Sequence, residues 1–174
     1  MKRYTYVPPK LKPSTKRIEV TDEEGNVVCT FQRVYPNAVA RVCNYVFDID
    51  WSAQVNVYST DGLPVIQCKK TTPWFGRPEY IVQHRNTQDI YRVTYTTWQK
   101  LAPEFKVTHL NHEYVLKKEV LDWAKFLQAG EELARWKMKP TEWFKTQLEI
   151  EAACPIQEPE FFVALFHCIF CIGD

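Results

Sequence analysis

Two short stretches contain residue types that bind metals or act as nucleophiles. In HLNHE, His109 and His112 are three residues apart, which is not the His-Glu-x-x-His spacing of zinc proteases. In a strand and turn the two rings would face differently. In HCIFC, Cys168 and Cys171 lack the second ligand pair of a structural zinc site, and thiols in an apolar run resist ionisation. We therefore expect no metal, no cofactor and no catalytic residue here.

The loop TTPWFGRPEY at 71–80 has a composition that suits an interfacial contact. Its prolines and glycine restrict the backbone, and Trp74, Phe75 and Arg77 fall at its centre. Aromatic rings favour the depth of lipid headgroups, and a guanidinium pairs with phosphate. The alternative is that the two aromatic side chains simply cover one end of the domain.

The N-terminal segment 1–17 is basic, contains proline and holds no acidic residue. We interpret it as an extended arm. Each cation near an anionic membrane contributes on the order of 1 kcal/mol of attraction, although a solubilising tail would have the same composition. The cations of the arm are Lys2, Arg3, Lys10, Lys12, Lys16 and Arg17.

Lys69 and Lys70 resemble a basic patch in print, but neighbours in a strand point to opposite faces. Lys69 shares one face with Val65 and Gln67, and Lys70 shares the other with apolar residues. We expect these lysines to be solvated surface. Lys69, together with Lys100, is the candidate that would assist the aromatic loop.

The whole chain has the composition of one globular domain. Its 174 residues are 45% hydrophobic and 14% aromatic, and the formal charge of +1 gives no field that would attract nucleic acid. No apolar leader follows the first residues, so we expect a cytoplasmic protein whose six cysteines stay reduced. Small buried hydrophobes are the expected role of those thiols.

Short apolar alternations with a period of two continue from residue 18 and indicate strands. Asp61-Gly62 is the strongest hairpin signal. The stretch 120–139 suits a helix by composition, but Gly130 and the alternation after it favour a hairpin. The candidate strands are 18–20, 27–35, 42–47, 54–59, 64–70, 79–84, 90–97, 104–109, 113–117, 122–127, 132–138 and 145–151.

The last segment, about 159–172, predicts a helix that is apolar on every face. Pro159 suits the first turn of a helix, and Gly173 suits its end. The apolar run is too short for a bilayer, which needs about 20 residues, so we expect no transmembrane segment and a helix enclosed by protein. His167, its interior polar residue, should be hydrogen-bonded to a backbone carbonyl or to a buried water.

A dozen short strands followed by such a helix resembles the tubby C-terminal-like superfamily, which includes tubby proteins, phospholipid scramblases and LURP-one-related proteins. The segments VYSTDGLPVIQCKKTTPWFGRPEYIV, GEELARWKMKPTEWFKTQLEIE and FFVALFHCIFCIG resemble the LURP-one-related branch, and TTPWFGRPEY and TTWQKLAPEF are similar to small bacillus-type members. The resemblance implies a mainly β domain over residues 18–174. Its fold would be a closed antiparallel barrel of about twelve strands around the C-terminal helix.

The resemblance also implies a non-enzymatic module whose partner is the headgroup of an anionic phospholipid, with the protein peripheral at the inner face of the membrane. The tubby phosphoinositide pocket does not map onto this chain residue by residue, so the candidate contacts are the loop and the basic residues named above. A protein-interaction or structural module without a lipid role is the alternative. An enzyme with its site in the barrel mouth is a third reading.

Overall fold

The computed structural model describes residues 1–8, 14–35, 54–71, 76–97, 102–118, 122–139 and 145–170. Within those ranges the chain forms twelve strands and one helix. The strands are β1 (Lys2–Tyr6), β2 (Ile18–Thr21), β3 (Val27–Val34), β4 (Gln54–Tyr58), β5 (Pro64–Thr71), β6 (Glu79–His84), β7 (Ile90–Tyr95), β8 (Glu104–His109), β9 (His112–Lys118), β10 (Ala124–Gln128), β11 (Glu131–Lys139) and β12 (Lys145–Ile150), and the helix is α1 (Pro159–Phe170).

Each strand pairs antiparallel with its neighbours in sequence, and β1 pairs with β12, so the sheet closes on itself. The ten helix residues from Phe161 to Phe170 are all buried. The predicted closed barrel around a hydrophobic helix is therefore confirmed.

The helix is held by aromatic contacts along its whole length. Near its start, the Phe161 ring lies 4.6 Å from the ring of Tyr91, and near its end the Phe170 ring stacks 5.8 Å from Trp136. Burying an aromatic side chain of this size contributes about 1.5–3 kcal/mol of stability. The enclosing sheet thus provides the apolar surroundings that such a helix would otherwise find in a bilayer or a partner protein.

Both hairpins that the sequence singled out are present. Gly62 adopts a φ of 79° in the turn between β4 and β5, where its amide donates to the Ser59 carbonyl. Ala129 and Gly130 have φ of 50° and 88° in the turn between β10 and β11. The hairpin interpretation of 120–139 is thus confirmed over the helical one.

The prediction of an extended N-terminal arm outside the barrel is wrong for Lys2–Tyr6. These residues form β1 and close the sheet against β12. Tyr4 and Tyr6 alternate with outward residues and are buried in the core. This period-two pattern was present in KRYTY but was outweighed by the basic, proline-containing composition. The strand predicted at 42–47 lies outside the described residues.

Four cysteines among the described residues, Cys29, Cys68, Cys154 and Cys168, are buried free thiols, as predicted. Burial raises the pKa of the Cys29 thiol, and the nearby Glu160 adds to that rise. Such thiols pack as small apolar side chains.

His167 is a core residue, as predicted, and its Nδ1 has no partner among the described protein atoms. The ring instead packs edge-on against Phe31, with the centroids 4.7 Å apart. Desolvation, together with the positive charge of Arg33, lowers the pKa of His167 to about 3. The imidazole is therefore neutral at physiological pH.

Candidate functional site

The strands alternate in direction, so each end of the barrel combines the starts of one half of the strands with the ends of the other half. The two ends carry different residues. The C-terminal end of α1 marks one of them, where Phe170 packs against Phe105, the second residue of β8. The N-terminal end of α1 marks the other, where Phe161 stacks with His84 at the end of β6. We call these ends the basic rim and the acidic rim, for the residues that each one carries.

The basic rim comprises the described residues in or next to the last part of each odd-numbered strand and the first part of each even-numbered strand. Its acids are Glu19, Glu79, Glu104 and Asp122. Its cations are Lys16, Arg17, Arg33, Lys69, Lys70, Arg77, Lys106, Lys117, Lys118, Lys125, Lys137, Lys139 and Lys145.

The acidic rim has the opposite balance. Its described cations are Lys2, Arg3, Arg85 and Arg92. Its acids are Asp22, Glu23, Glu24, Asp61, Asp89, Glu113, Glu131, Glu132, Glu149, Glu151, Glu158 and Glu160. Within the described ranges the charge is therefore polarised along the barrel axis.

The buried part of the basic rim complements the helix. Arg33 and Lys70 lie on the inner faces of β3 and β5 and are only 5% and 9% exposed, and the ammonium of Lys118 lies 5.3 Å from the ring centre of Phe170. Cations near the C-terminal end of a helix interact favourably with its dipole. Lys70, expected on the solvated surface, is thus a core residue, whereas Lys69 beside it is exposed.

Several predicted site residues lie on the basic rim. Lys16, Arg17 and Lys69 are exposed there. Arg77 is half-buried; its guanidinium donates to the Thr97 carbonyl and lies 5.3 Å over the ring of Tyr95. Arg77 therefore ties the start of β6 to the end of β7.

Other predicted site residues fall outside the described ranges, namely Trp74, Phe75, Lys100, Lys10 and Lys12. In sequence, the first two lie between Thr71 and Gly76, which bound the connection from β5 to β6 at the basic rim. Their role in lipid contact stays a prediction.

Lys2 and Arg3 do not belong with the other cations of the predicted arm. They begin β1 at the acidic rim, where Arg3 Nε donates to Glu149 Oε1 over 2.8 Å. The arm is therefore split between the two ends of the barrel, and these two residues are removed from the candidate lipid contact.

Glu149 joins three strands on the outer face. It is directly opposite Arg3 on β1 and Arg135 on β11, and Arg135 Nη2 lies 2.6 Å from its Oε2. Burial alone would raise the pKa of Glu149, but hydrogen bonds from Arg135 and Arg3 hold that pKa below its usual value. The carboxylate is a structural link where the barrel closes.

Sequence reasoning missed a groove on the outer wall between β1 and β2, which we call the seam groove. Its volume is about 630 Å³. The residues that join its two walls in sequence, 9–13, lie outside the described part of the chain. It is lined by Thr5, Tyr6, Val7, Pro8, Lys16, Arg17, Ile18, Glu19, Thr21 and Lys145. No sequence motif predicts this groove, because it lies where β1 and β2 share only one matched pair of described residues. That pairing depends on the register of the two strands.

The histidine pair is arranged differently from the prediction. His109 and His112 are opposite each other across the β8–β9 hairpin, so they do not face differently. His109 Nε2 lies 3.3 Å from Asp89 Oδ1, and its ring stacks 4.1 Å from Tyr91. In the described ranges no three His, Cys, Asp or Glu side chains are grouped to hold a metal ion.

A family comparison identifies the fold. The model of the Tubby C-terminal like domain matches residues 4–172. The chain belongs to this family. No curated protein and no solved structure matches it. The match begins inside β1, so the tubby-like domain includes the strand that the sequence had assigned to an arm. No helix in the described part of this tubby-like domain has the length and apolar character to cross a membrane.

Proposed function

We propose that this tubby-like domain is a non-enzymatic module that binds anionic phospholipid surfaces through its basic rim. The observation that carries the proposal is the axial separation of charge. A surface of phosphates attracts one end of the barrel and repels the other, so the field selects an orientation as well as a partner.

The exposed cations of the basic rim supply most of the electrostatic attraction to an anionic membrane. Lys16, Lys69 and Lys145 are exposed on the basic rim, and each cation close to an anionic leaflet contributes about 1 kcal/mol. This attraction decays within about 10 Å at 0.1 M salt, so the acidic rim at the far end of the strands weakens it little.

The aromatic loop supplies the second part of the proposal. Trp74 and Phe75 follow Lys69 in sequence and precede Arg77, whose contacts with Tyr95 and Thr97 anchor that side of the loop. Aromatic side chains at headgroup depth would add apolar contact to the electrostatic attraction.

Co-sedimentation with vesicles tests the proposal. We expect binding to phosphatidylcholine vesicles that contain phosphatidylserine, little binding to pure phosphatidylcholine, and a loss at high salt. The variant with Lys16, Lys69 and Lys145 all changed to Gln should bind roughly 100-fold more weakly.

A matched control removes the same charge elsewhere. Lys2, Arg85 and Arg92 are exposed away from the basic rim, and changing all three to Gln should leave binding nearly unchanged. Equal losses in the two triple variants, or no binding of the native domain at low salt, would contradict the proposal.

A further inference from the structure

The two ends of the barrel carry complementary charges. Among the described residues, cations predominate on the basic rim and acids predominate on the acidic rim. A membrane takes up the first of these ends and leaves the second facing solvent. The same pattern makes the basic rim of one molecule attract the acidic rim of another, because complementary potentials steer and orient two proteins as they meet.

Three lysines of the basic rim are available for such a contact. Lys16, Lys69 and Lys145 are exposed. None of them takes part in the ion pairs that the described residues form. Their charges are therefore directed to whatever lies beyond this end of the barrel.

Three acids of the acidic rim match these lysines. Glu24, Asp61 and Glu131 are exposed, and they too are outside the ion pairs of the described residues. Other acids of this rim are partly neutralised within the molecule, as Glu113 is by Lys106. The three exposed acids are thus the groups that a positively charged partner would meet.

The two sets occur in the same order around the barrel. The lysines lie at the start of β12, just before β2 and near the end of β5, and the acids lie at the start of β11 and in the turns β2–β3 and β4–β5. Both sets therefore cover the arc from β11 through β12 and β1 to β5. A second copy stacked along the barrel axis brings its lysines over the acids of the first.

Two exposed leucines add an apolar component to the acidic rim. Leu63 is 65% exposed and Leu110 is 86% exposed, each in a hairpin turn. Leu110 has a φ of 51°, a conformation that glycine and asparagine favour in such turns and that leucine adopts only at a cost. A strained, exposed leucine adds no buried area to its own domain, so contact with another molecule accounts for it.

We propose that this domain associates head to tail with a second copy of itself, the basic rim of one copy docking on the acidic rim of the next. This activity goes beyond lipid binding, although it uses the same basic rim. A head-to-tail contact of this kind does not close on itself, so further copies can add to the stack. A membrane and a second copy would compete for the basic rim of each molecule.

Sedimentation velocity tests the association. At about 0.01 M salt we expect species that grow with protein concentration, and at about 1 M salt, where the Debye length is about 3 Å, we expect the monomer. A native domain that stays monomeric at about 1 mM protein in low salt would overturn the proposal. Association that stops at a dimer would also overturn it, because a closed dimer uses the same surface twice.

Two variants remove one surface each. The basic-rim variant is the triple lysine variant of the vesicle experiment, and the acidic-rim variant combines Glu24→Gln, Asp61→Asn and Glu131→Gln. Each variant alone should self-associate at least about tenfold more weakly than the native domain. An equimolar mixture should form a one-to-one complex and nothing larger, since it retains one intact pair of surfaces. A mixture that associates no better than the separate variants would contradict the proposal.

The acidic-rim variant also separates this proposal from lipid binding. It keeps every cation of the basic rim, so it should bind phosphatidylserine vesicles at least as well as the native domain while it loses self-association. A failure of one activity is thereby distinguished from a failure of the other.

The leucine at the β8–β9 turn supplies a test that does not depend on charge. Leu110→Asn should weaken self-association by about tenfold, because an apolar contact is lost. It should not lower the thermal stability of the domain, because asparagine suits the turn. An unchanged association constant in this variant would show that the turn does not touch the next copy, which would contradict the docking proposed here.

Discussion

At the scale of single residues, His167 is the least expected feature of the core. An imidazole among Phe31, Tyr6 and the helix interior is desolvated, and Arg33 adds a like charge to its protonated form. The sequence correctly predicted a buried histidine, because one polar residue interrupts an apolar run. It could not predict that the rings of Phe31 and Tyr6 pack against the imidazole, because distant strands bring those side chains in.

Stability should depend on pH through this residue. Its pKa is about 3 in the folded state against an ordinary 6.5, so between those values the unfolded chain binds more protons and stability falls as pH falls. Urea unfolding should show that His167 contributes a loss of about 2 kcal/mol between pH 6.5 and pH 5.

The variant His167→Leu isolates the effect. We expect its stability to vary less with pH than that of the native domain over this range, while His112→Gln, a change at an exposed histidine, keeps the native dependence. Glu149 does not contribute to the pH dependence in this range. Its pKa is lowered from an ordinary value of 4.5, so its effect on stability appears only at lower pH. Parallel pH profiles for the native domain and His167→Leu would show that the imidazole is not desolvated as the structure has it.

At the scale of elements, periodicity predicted most strands and the core helix. A strand with one buried face shows apolar residues with a period of two, and an enclosed helix shows apolar residues on every face. The hairpins at Asp61-Gly62 and at 120–139 followed from turn chemistry. β1 was missed because Pro8 and its basic neighbours resemble a tail, although Tyr4 and Tyr6 carry the strand pattern. The weak β1–β2 pairing could not be predicted, since register is a property of two segments and not of either one.

Closure of the barrel by β1 should depend on Glu149. Its side chain is 3% exposed and accepts from Arg3 on one side and Arg135 on the other. Glu149→Gln removes the charge but keeps the shape, which should cost about 2 kcal/mol in chemical unfolding because two guanidinium groups lose their counterion. Glu113→Gln is the matched control; its pair with Lys106 is exposed and should be worth at most about 0.5 kcal/mol. Similar costs for both variants would show that β1 is not held through this carboxylate.

At the scale of the whole molecule, the decisive property is the polarity of charge along the barrel axis. The formal charge of +1 gave no hint of it. In an antiparallel meander, the end of the barrel at which a charge lies depends on the direction of its strand. Charges far apart in sequence can therefore be assigned to one end only when every strand and connection is known. The predicted basic arm was a partial signal, because Lys16 and Arg17 do lie on the basic rim while Lys2 and Arg3 do not.

The orientation of the bound domain tests the central claim most directly. Thr60 and Thr71 are exposed at opposite ends of the β4–β5 unit, separated by a strand of about 25 Å. A fluorophore at Thr71→Cys or at Thr60→Cys, each with Cys43 and Cys171 changed to Ser, would report on contact with quencher-labelled phosphatidylserine vesicles. The account predicts strong quenching at Thr71, on the basic rim, and little at Thr60. Equal quenching at the two positions, or stronger quenching at Thr60, would contradict it.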